Sequence, residues 1–449
     1  MEGIRTLKPE VKYFIDTYLA HQKDLDCATC RLTSEAKAEA LHYLEDYGFP
    51  SLHSEDYRHI DMVSLLGKQW NISSEGELKT ETKNRFATLD GYQIARINGN
   101  CPDDAQLESL HESLPSGCYV GSLNSFLSSD APEKQKKRVA DVYAKHAAPD
   151  NDAMVALNTL FAIDALLVFV PEGTCIDKIL HLEHIIAANS LQMIVDRVVI
   201  VVEKNAQLEI LLSDTNPSSW DNESLYLSVV EVDLGPSALA TIYLSEETSK
   251  KHNKLASYFI RQQAYSKAAM HTVVLHNGVT RNNVWSRFLG EHASLTLNGM
   301  AIVDEERLID TFTRVEHVKP HCYTNERYKH VALGRSTASF TGRIFVAQGA
   351  VKTEAYQQDR NLLLSPDAYI YAKPHLEIYA DDVQCSHGMT TGQLDAEVLF
   401  YMQQRGIPLE VAEKILSMAF TEDIIAAIPN EPLRRLFSEA VASYYFRDM

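Results

Sequence analysis

Residues 198–212 read VVIVVEKNAQLEILL, two apolar runs either side of a short polar corner. Short alternating runs rich in β-branched residues mark half-buried strands, because successive side chains leave opposite faces. The texture returns at residues 237–244 (SALATIYL), 292–303 (HASLTLNGMAIV), 337–346 (TASFTGRIFV) and 367–372 (DAYIYA). Between Ala165 and Gly388 no long run has helical periodicity. A turn-type or polar residue precedes an alanine that opens an alternating run at Ala206, Ala238, Ala293, Ala338, Ala350 and Ala368. The spacing is irregular, so pattern alone leaves a β-solenoid and a β-sandwich level. Roughly two hundred residues of strand texture in one core tilt the reading toward a quasi-linear stack of coils.

On either side the texture is helical. Residues 33–50 (TSEAKAEALHYLEDYGFP) place Ala40, Leu41, Leu44 and Tyr47 at helical spacing before Gly48 and Pro50 stop the run. Residues 9–21 and 132–162 have similar character, and helical spacing resumes from Gln393 to Phe446. The expected organisation is a mainly helical segment over residues 1–164, a β core over 165–391 and a helical segment over 392–449.

The 449 residues carry 61 acidic against 42 basic side chains, a formal net charge of -19. Such a surface repels phosphate backbones and anionic lipid, so neither nucleic acid nor membrane is an expected partner. The N-terminus lacks the apolar core of a secretory signal, and runs such as Ala165–Val170 are too short to span a bilayer. Seven scattered cysteines fit reduced thiols, and the expected location is cytoplasmic.

Several chemistries lack their motifs. There is no G-x-x-x-x-G-K-[ST] phosphate loop, no G-x-G-x-x-G after a strand, no H-E-x-x-H and no G-x-S-x-G. Cys27 and Cys30 have C-x-x-C spacing, but no second pair follows at zinc-site distance, so they read as incidental.

The chemically informative segment is KPHLEIYADDVQCSHGMTTGQLD, residues 373–395. Alternation puts Leu376, Ile378 and Ala380 toward the core. His375, Glu377, Tyr379, Asp381, Val383, Cys385 and His387 then share the other face, unless a bend at Asp381–Asp382 resets the parity. Cys385 and His387 project together and form a candidate metal pair, since thiolate and imidazole suit iron, copper or zinc. Spacing alone favours a buried cysteine and a turn histidine, because two ligands do not complete a tetrahedral site. A second chain could supply the rest. His321 and Cys322 are another adjacent pair, but neighbours on a strand face opposite ways.

Residues 361–408, NLLLSPDAYIYAKPHLEIYADDVQCSHGMTTGQLDAEVLFYMQQRGIP, resemble the SufB/SufD family of iron–sulfur cluster assembly subunits, and its SufD branch in particular. So do residues 342–365 (GRIFVAQGAVKTEAYQQDRNLLLS), 289–300 (LGEHASLTLNGM), 313–322 (TRVEHVKPHC) and, further upstream, 55–66 (EDYRHIDMVSLL). The resemblance implies a mainly β chain with a right-handed parallel β-helix core flanked by N- and C-terminal α-helical domains. It implies a non-catalytic scaffold that pairs through the β-helix with a SufB-like paralogue and docks a SufC-like ABC ATPase through its C-terminal helices. The missing phosphate loop agrees with that division of labour. A homodimer of the isolated chain would use similar surfaces, and the sequence leaves that pairing open. By position, His387 matches the histidine implicated in cluster building, and Cys385 a cysteine two residues before it. No permanently bound cofactor is expected, only transient iron or an iron–sulfur cluster at the interface with the SufB-like partner. Two departures are Met389, where a small residue is usual, and Phe312, where a histidine is common.

The alternative is a β-helical carbohydrate-active enzyme, a lyase or hydrolase, which needs convergent carboxylates in a groove. Asp381–Asp382 and Glu305–Glu306 are the available pairs, and adjacent strand residues diverge.

Overall fold

The computed structural model describes residues 7–27, 31–73, 84–102, 104–216 and 222–446. Its centre is a parallel β-solenoid, each coil laying one strand in a ten-stranded sheet and the next in a nine-stranded sheet. The first sheet runs from Tyr119–Ser122 and Leu166–Val170 through Gln192–Val202, Ser224–Leu234, His252–Gln262, Val279–Phe288, Leu308–His317 and Thr337–Val346 to Tyr369–Ile378, with the short strand Asn71–Ile72 pairing beside Gln192–Val202. The second runs from Gly91–Ile97 and Ile179–Ile185 through Gln207–Thr215, Leu239–Glu247, Lys267–His276, Ser294–Val303, Tyr323–Ala332 and Glu354–Leu363 to Gln384–Gly392. A sandwich of hairpins would pair strands antiparallel. Here Tyr119–Ser122 against Leu166–Val170 is the one antiparallel pair among the described strands. The solenoid reading holds.

The corners explain the recurring alanines. Asn205, Ser237, Tyr265, His292, His321 and Lys352 all adopt left-handed backbone, with φ between 56 and 62°. Their N–H groups donate to a carbonyl one coil further on, for example Asn205 to Pro236, Tyr265 to Glu291 and His321 to Val351. Left-handed backbone costs an L-residue about 1–2 kcal/mol, which each inter-coil bond offsets. The residue that follows is small and buried every time: Ala206, Ala238, Ser266, Ala293, Cys322 and Thr353. Three of the alanines noted in the sequence are therefore corner fillers.

Inward side chains such as Leu182, Ile200, Ile242, Met270 and Leu297 form the apolar interior. Near the first coils that interior also holds charge. Arg96 donates to both oxygens of Asp196 at 2.8 and 3.0 Å, and Tyr226 donates to the same carboxylate at 2.7 Å. Lys254 donates to Asp214 and lies 3.8 Å from Glu246. Burial pushes the Glu246 carboxyl up to about 7. Burial also acts to raise Asp214, but the Lys254 ammonium outweighs it and holds that carboxyl below its ordinary range.

Helices cover opposite outer faces of the solenoid. Pro9–Cys27, Arg31–Tyr47 and Ala153–Phe161 bury Phe14, Tyr18, Leu44 and Leu157 against Leu225, Leu227 and Leu255 of the first sheet. Leu409–Ala426 and Glu431–Phe446 bury Ile424, Leu433 and Phe437 against Leu211, Tyr243 and Val331 of the second. A short helix, Asp104–Ser113, closes the first end of the interior by inserting Leu110, with Leu114 beside it. The mainly helical first segment also contains Gly91–Ile97, a strand that pairs in parallel with Ile179–Ile185. Its alternation is too brief to stand out before its partner strand is known.

Candidate functional site at the terminal coil

The last coil consists of Tyr369–Ile378 and Gln384–Gly392. Leu376 and Ile378 stand in register with buried Ile344 and Val346, and so point inward as the alternation predicts. Residues 379–383 then turn the corner into the other sheet and reset the parity. Cys385 and His387 stand in register with buried Ala355 and Gln357, on the inner side of the coil. Their expected common face with His375 and Glu377 is thus corrected, because the two pairs belong to different sheets. The expectation that Cys385 and His387 share a side with each other holds.

Among the described residues no further coil covers this inner side. In Gln384–Gly392 only Cys385 is half-buried; His387 lies exposed and Met389 is 48 % exposed. Both strands stand at the ends of their sheets. Each therefore presents a row of unpaired backbone donors and acceptors, a template for a further strand.

Cys385 packs beside Val346, Ala355 and Ala380, and burial raises its thiol pKa. Metal binding there must displace the proton. Among the described residues no three His, Cys, Asp or Glu side chains converge as a metal site. The adjacent pair His321 and Cys322 diverges: Cys322 is buried with its thiol pushed up to about 11 by burial, while His321 stacks on His292 at 4.6 Å. Cys27 ends the first helix, and Cys30 lies outside the described residues. The adjacent carboxylates sit at corners in separate ion pairs: Asp382 with Lys352 at 2.6 Å, Glu305 with Lys250 at 3.3 Å, and Glu306 with Arg335.

The outer side of the terminal coils is partly covered by residues that sequence reading left without a role. Glu55 pairs with Lys373, Asp56 pairs with Arg343, and the His59 ring stacks on Tyr371 at 4.1 Å. Phe312 is buried on the same outer side, its ring centroid 5.9 Å from that of Trp285 and 5.7 Å from the Arg343 guanidinium. It serves packing.

Beyond Gly392 comes the helix Ala396–Gln404, capped by Asp395, whose carboxylate accepts from the Glu397 N–H at 2.8 Å. The helix buries none of its residues, and Phe400 and Tyr401 are 62 % and 58 % exposed. Val398, Phe400 and Tyr401 thus expose apolar surface on one short helix, a feature that interaction sites share.

A parallel β-solenoid with helices on its outer faces and one bare end defines the structural class. Residues 184–420 match the family described as SUF system FeS cluster assembly, SufBD core domain, and residues 8–182 match the SufBD protein N-terminal region. The chain belongs to the SufB/SufD family of iron–sulfur cluster assembly proteins. An iron–sulfur cluster assembly SufBD family protein of Synechocystis is 30% identical over 410 residues, covering 90% of this chain and 89% of that one. The iron–sulfur cluster assembly protein SufD of Escherichia coli is 26% identical over 412 residues, 88% of this chain and 89% of that one. Protein ABCI7, chloroplastic, of Arabidopsis thaliana is 29% identical over 399 residues, 86% of this chain and 80% of that one. The chain is a homologue of SufD. No described helix is long and apolar enough to cross a membrane.

Proposed function

We propose that this chain is a non-catalytic scaffold subunit of an iron–sulfur cluster assembly complex. Its terminal coil pairs with the solenoid of a SufB-like paralogue. Its helix Ala396–Gln404 and the helices that follow dock a SufC-like ABC ATPase, which supplies the energy that a chain without a phosphate loop cannot. His387, with Cys385 on the same side of the strand, contributes a ligand to iron or a nascent cluster, the cargo, held between the two subunits.

One observation carries the reading: both sheets end on free-edged strands, and the uncovered inner face between them bears Cys385 and His387. A neutral imidazole is a good ligand for iron, and a neighbouring chain can complete the coordination. ATP turnover in the docked partner would rearrange the junction and alternately cover and uncover these side chains.

Two measurements test it. The double variant F400E/Y401E changes exposed side chains only, so the fold persists while capture of the purified ATPase is lost. Undiminished capture would place the docking surface elsewhere. His387→Ala removes an exposed side chain, so the chain should still fold, with a loss of at most about 3 kcal/mol in stability. Cluster formation by the assembled complex should fall sharply, and full cluster yield would make His387 dispensable.

A further inference from the structure

One inward column of the second sheet can be followed in register from coil to coil. It is apolar from Ile210 through Ile242, Met270 and Leu297. Over the last three coils it becomes Glu326, Gln357 and His387. In this one column, polar groups appear only as it nears its open end. Glu326 is fully buried and Gln357 is 3 % exposed.

Two donors meet one oxygen of Glu326: Thr313 Oγ1 donates to Oε2 at 2.7 Å and Gln357 Nε2 donates to it at 3.0 Å. The bond orients the Gln357 amide, with Nε2 turned back to Glu326 and Oε1 left over. That Oε1 is buried and has no donor among the described residues. Space for the amide is provided from the facing sheet by Gly342, where a Cβ would lie 2.1 Å from Gln357 Nε2 and 2.6 Å from its Cδ. A buried acceptor without a donor costs free energy that a suitable N–H would recover. Paired residues of adjacent strands stand roughly 4.8 Å apart, so rotation about the side-chain bonds of His387 brings its ring to that oxygen.

We infer that Gln357 is the positioning residue of His387. Its Oε1 accepts one ring N–H and leaves the other ring nitrogen, with its lone pair, directed out of the solenoid. Glu326 and Gly342 hold the amide in that sense. A ligating histidine works through this arrangement, since the acceptor behind it fixes both tautomer and ring orientation. The metal-binding consequence rests on His387 being a ligand; the positioning itself does not.

The test uses the full-length chain with 15N-labelled histidine, the His387 signals being assigned by their loss in His387→Gln. At a pH where the ring is neutral, long-range proton–nitrogen spectra should show a single tautomer for His387. Gln357→Leu should convert it to the tautomer mixture of a free imidazole. The swap E326Q/Q357E keeps both the inner bond and an acceptor oxygen, and should restore the single tautomer. A mixture in the natural chain, or a single tautomer surviving in Gln357→Leu, overturns the inference. Should Gln357→Leu not fold, the natural chain and the swap still decide. Iron(II) retention is read separately, with a loss of about 10-fold or more expected in Gln357→Leu. Retention unaffected by His387→Ala, together with the expected tautomer changes, would sink the ligand reading and leave the positioning of His387 standing.

Discussion

Ile179–Ile185 and Gln384–Gly392 are strands of the same sheet, near its two ends. In the first every residue is buried; in the second only Cys385 is even half-buried. The early strand is covered on its edge by Gly91–Ile97, and the first mouth of the interior is closed by Leu110. Nearby, Arg197 and Glu231 form an ion pair with no solvent exposure. Glu231 accepts the N–H groups of Ala144 and Ala147 at 3.0 Å each, and Arg197 donates to Thr159 at 2.8 Å. These bonds fasten the N-terminal segment to the solenoid. Among the described residues the late coil has no such closure. One end of the stack is completed by the chain itself, and the other ends on exposed strands.

That contrast can be broken by measurement. Glu231→Ala leaves a buried guanidinium without its partner and should cost about 3–5 kcal/mol in urea unfolding. A loss under about 1 kcal/mol would mean the first end is not fastened there. Leu297→Ala in the closed interior should cost about 2–5 kcal/mol. By contrast, Met389→Ser at the open end should cost no more than about 0.5 kcal/mol. Equal losses would erase the distinction between the ends.

Between these extremes lies a pH effect. Burial pushes the Glu326 carboxyl up to about 7 from an ordinary 4.5. The folded chain keeps a proton there that the unfolded chain has already released. Stability therefore falls as pH rises from about 4.5 to about 7 and is level above that, with a slope of at most about 1.4 kcal/mol per pH unit from this group. Glu246, also raised to about 7, contributes in the same window. Glu326→Gln should remove roughly half of the combined slope, and an unchanged pH profile would show that Glu326 stays ionised in the folded chain.

The strand texture and the terminal helices were legible because periodicity is local. Ala40 and Leu44 are buried as the helical spacing predicts, whereas Tyr47 at the end of the same run is exposed. Closure into a solenoid was not legible from pattern, since its repeat lies in backbone geometry. Asn205, Ser237, Tyr265, His292, His321 and Lys352 share a left-handed φ but no side-chain chemistry. The corner fillers share only small size, so Cys322 could pass for a ligand. The inward direction of Cys385 and His387 depended on the turn at residues 379–383, which alternation cannot cross. The column from Leu297 to His387 appears only once register is known. The contacts of Glu55, Asp56 and His59 with the terminal coils join residues too distant in sequence for any local signal.

A stack of parallel coils has a direction, and here the chain's own residues close one of its two ends. When two such solenoids meet at the other end, each uses up its own attachment surface in the act. On the proposed pairing, growth would stop at two solenoids, and the same geometry would forbid a filament.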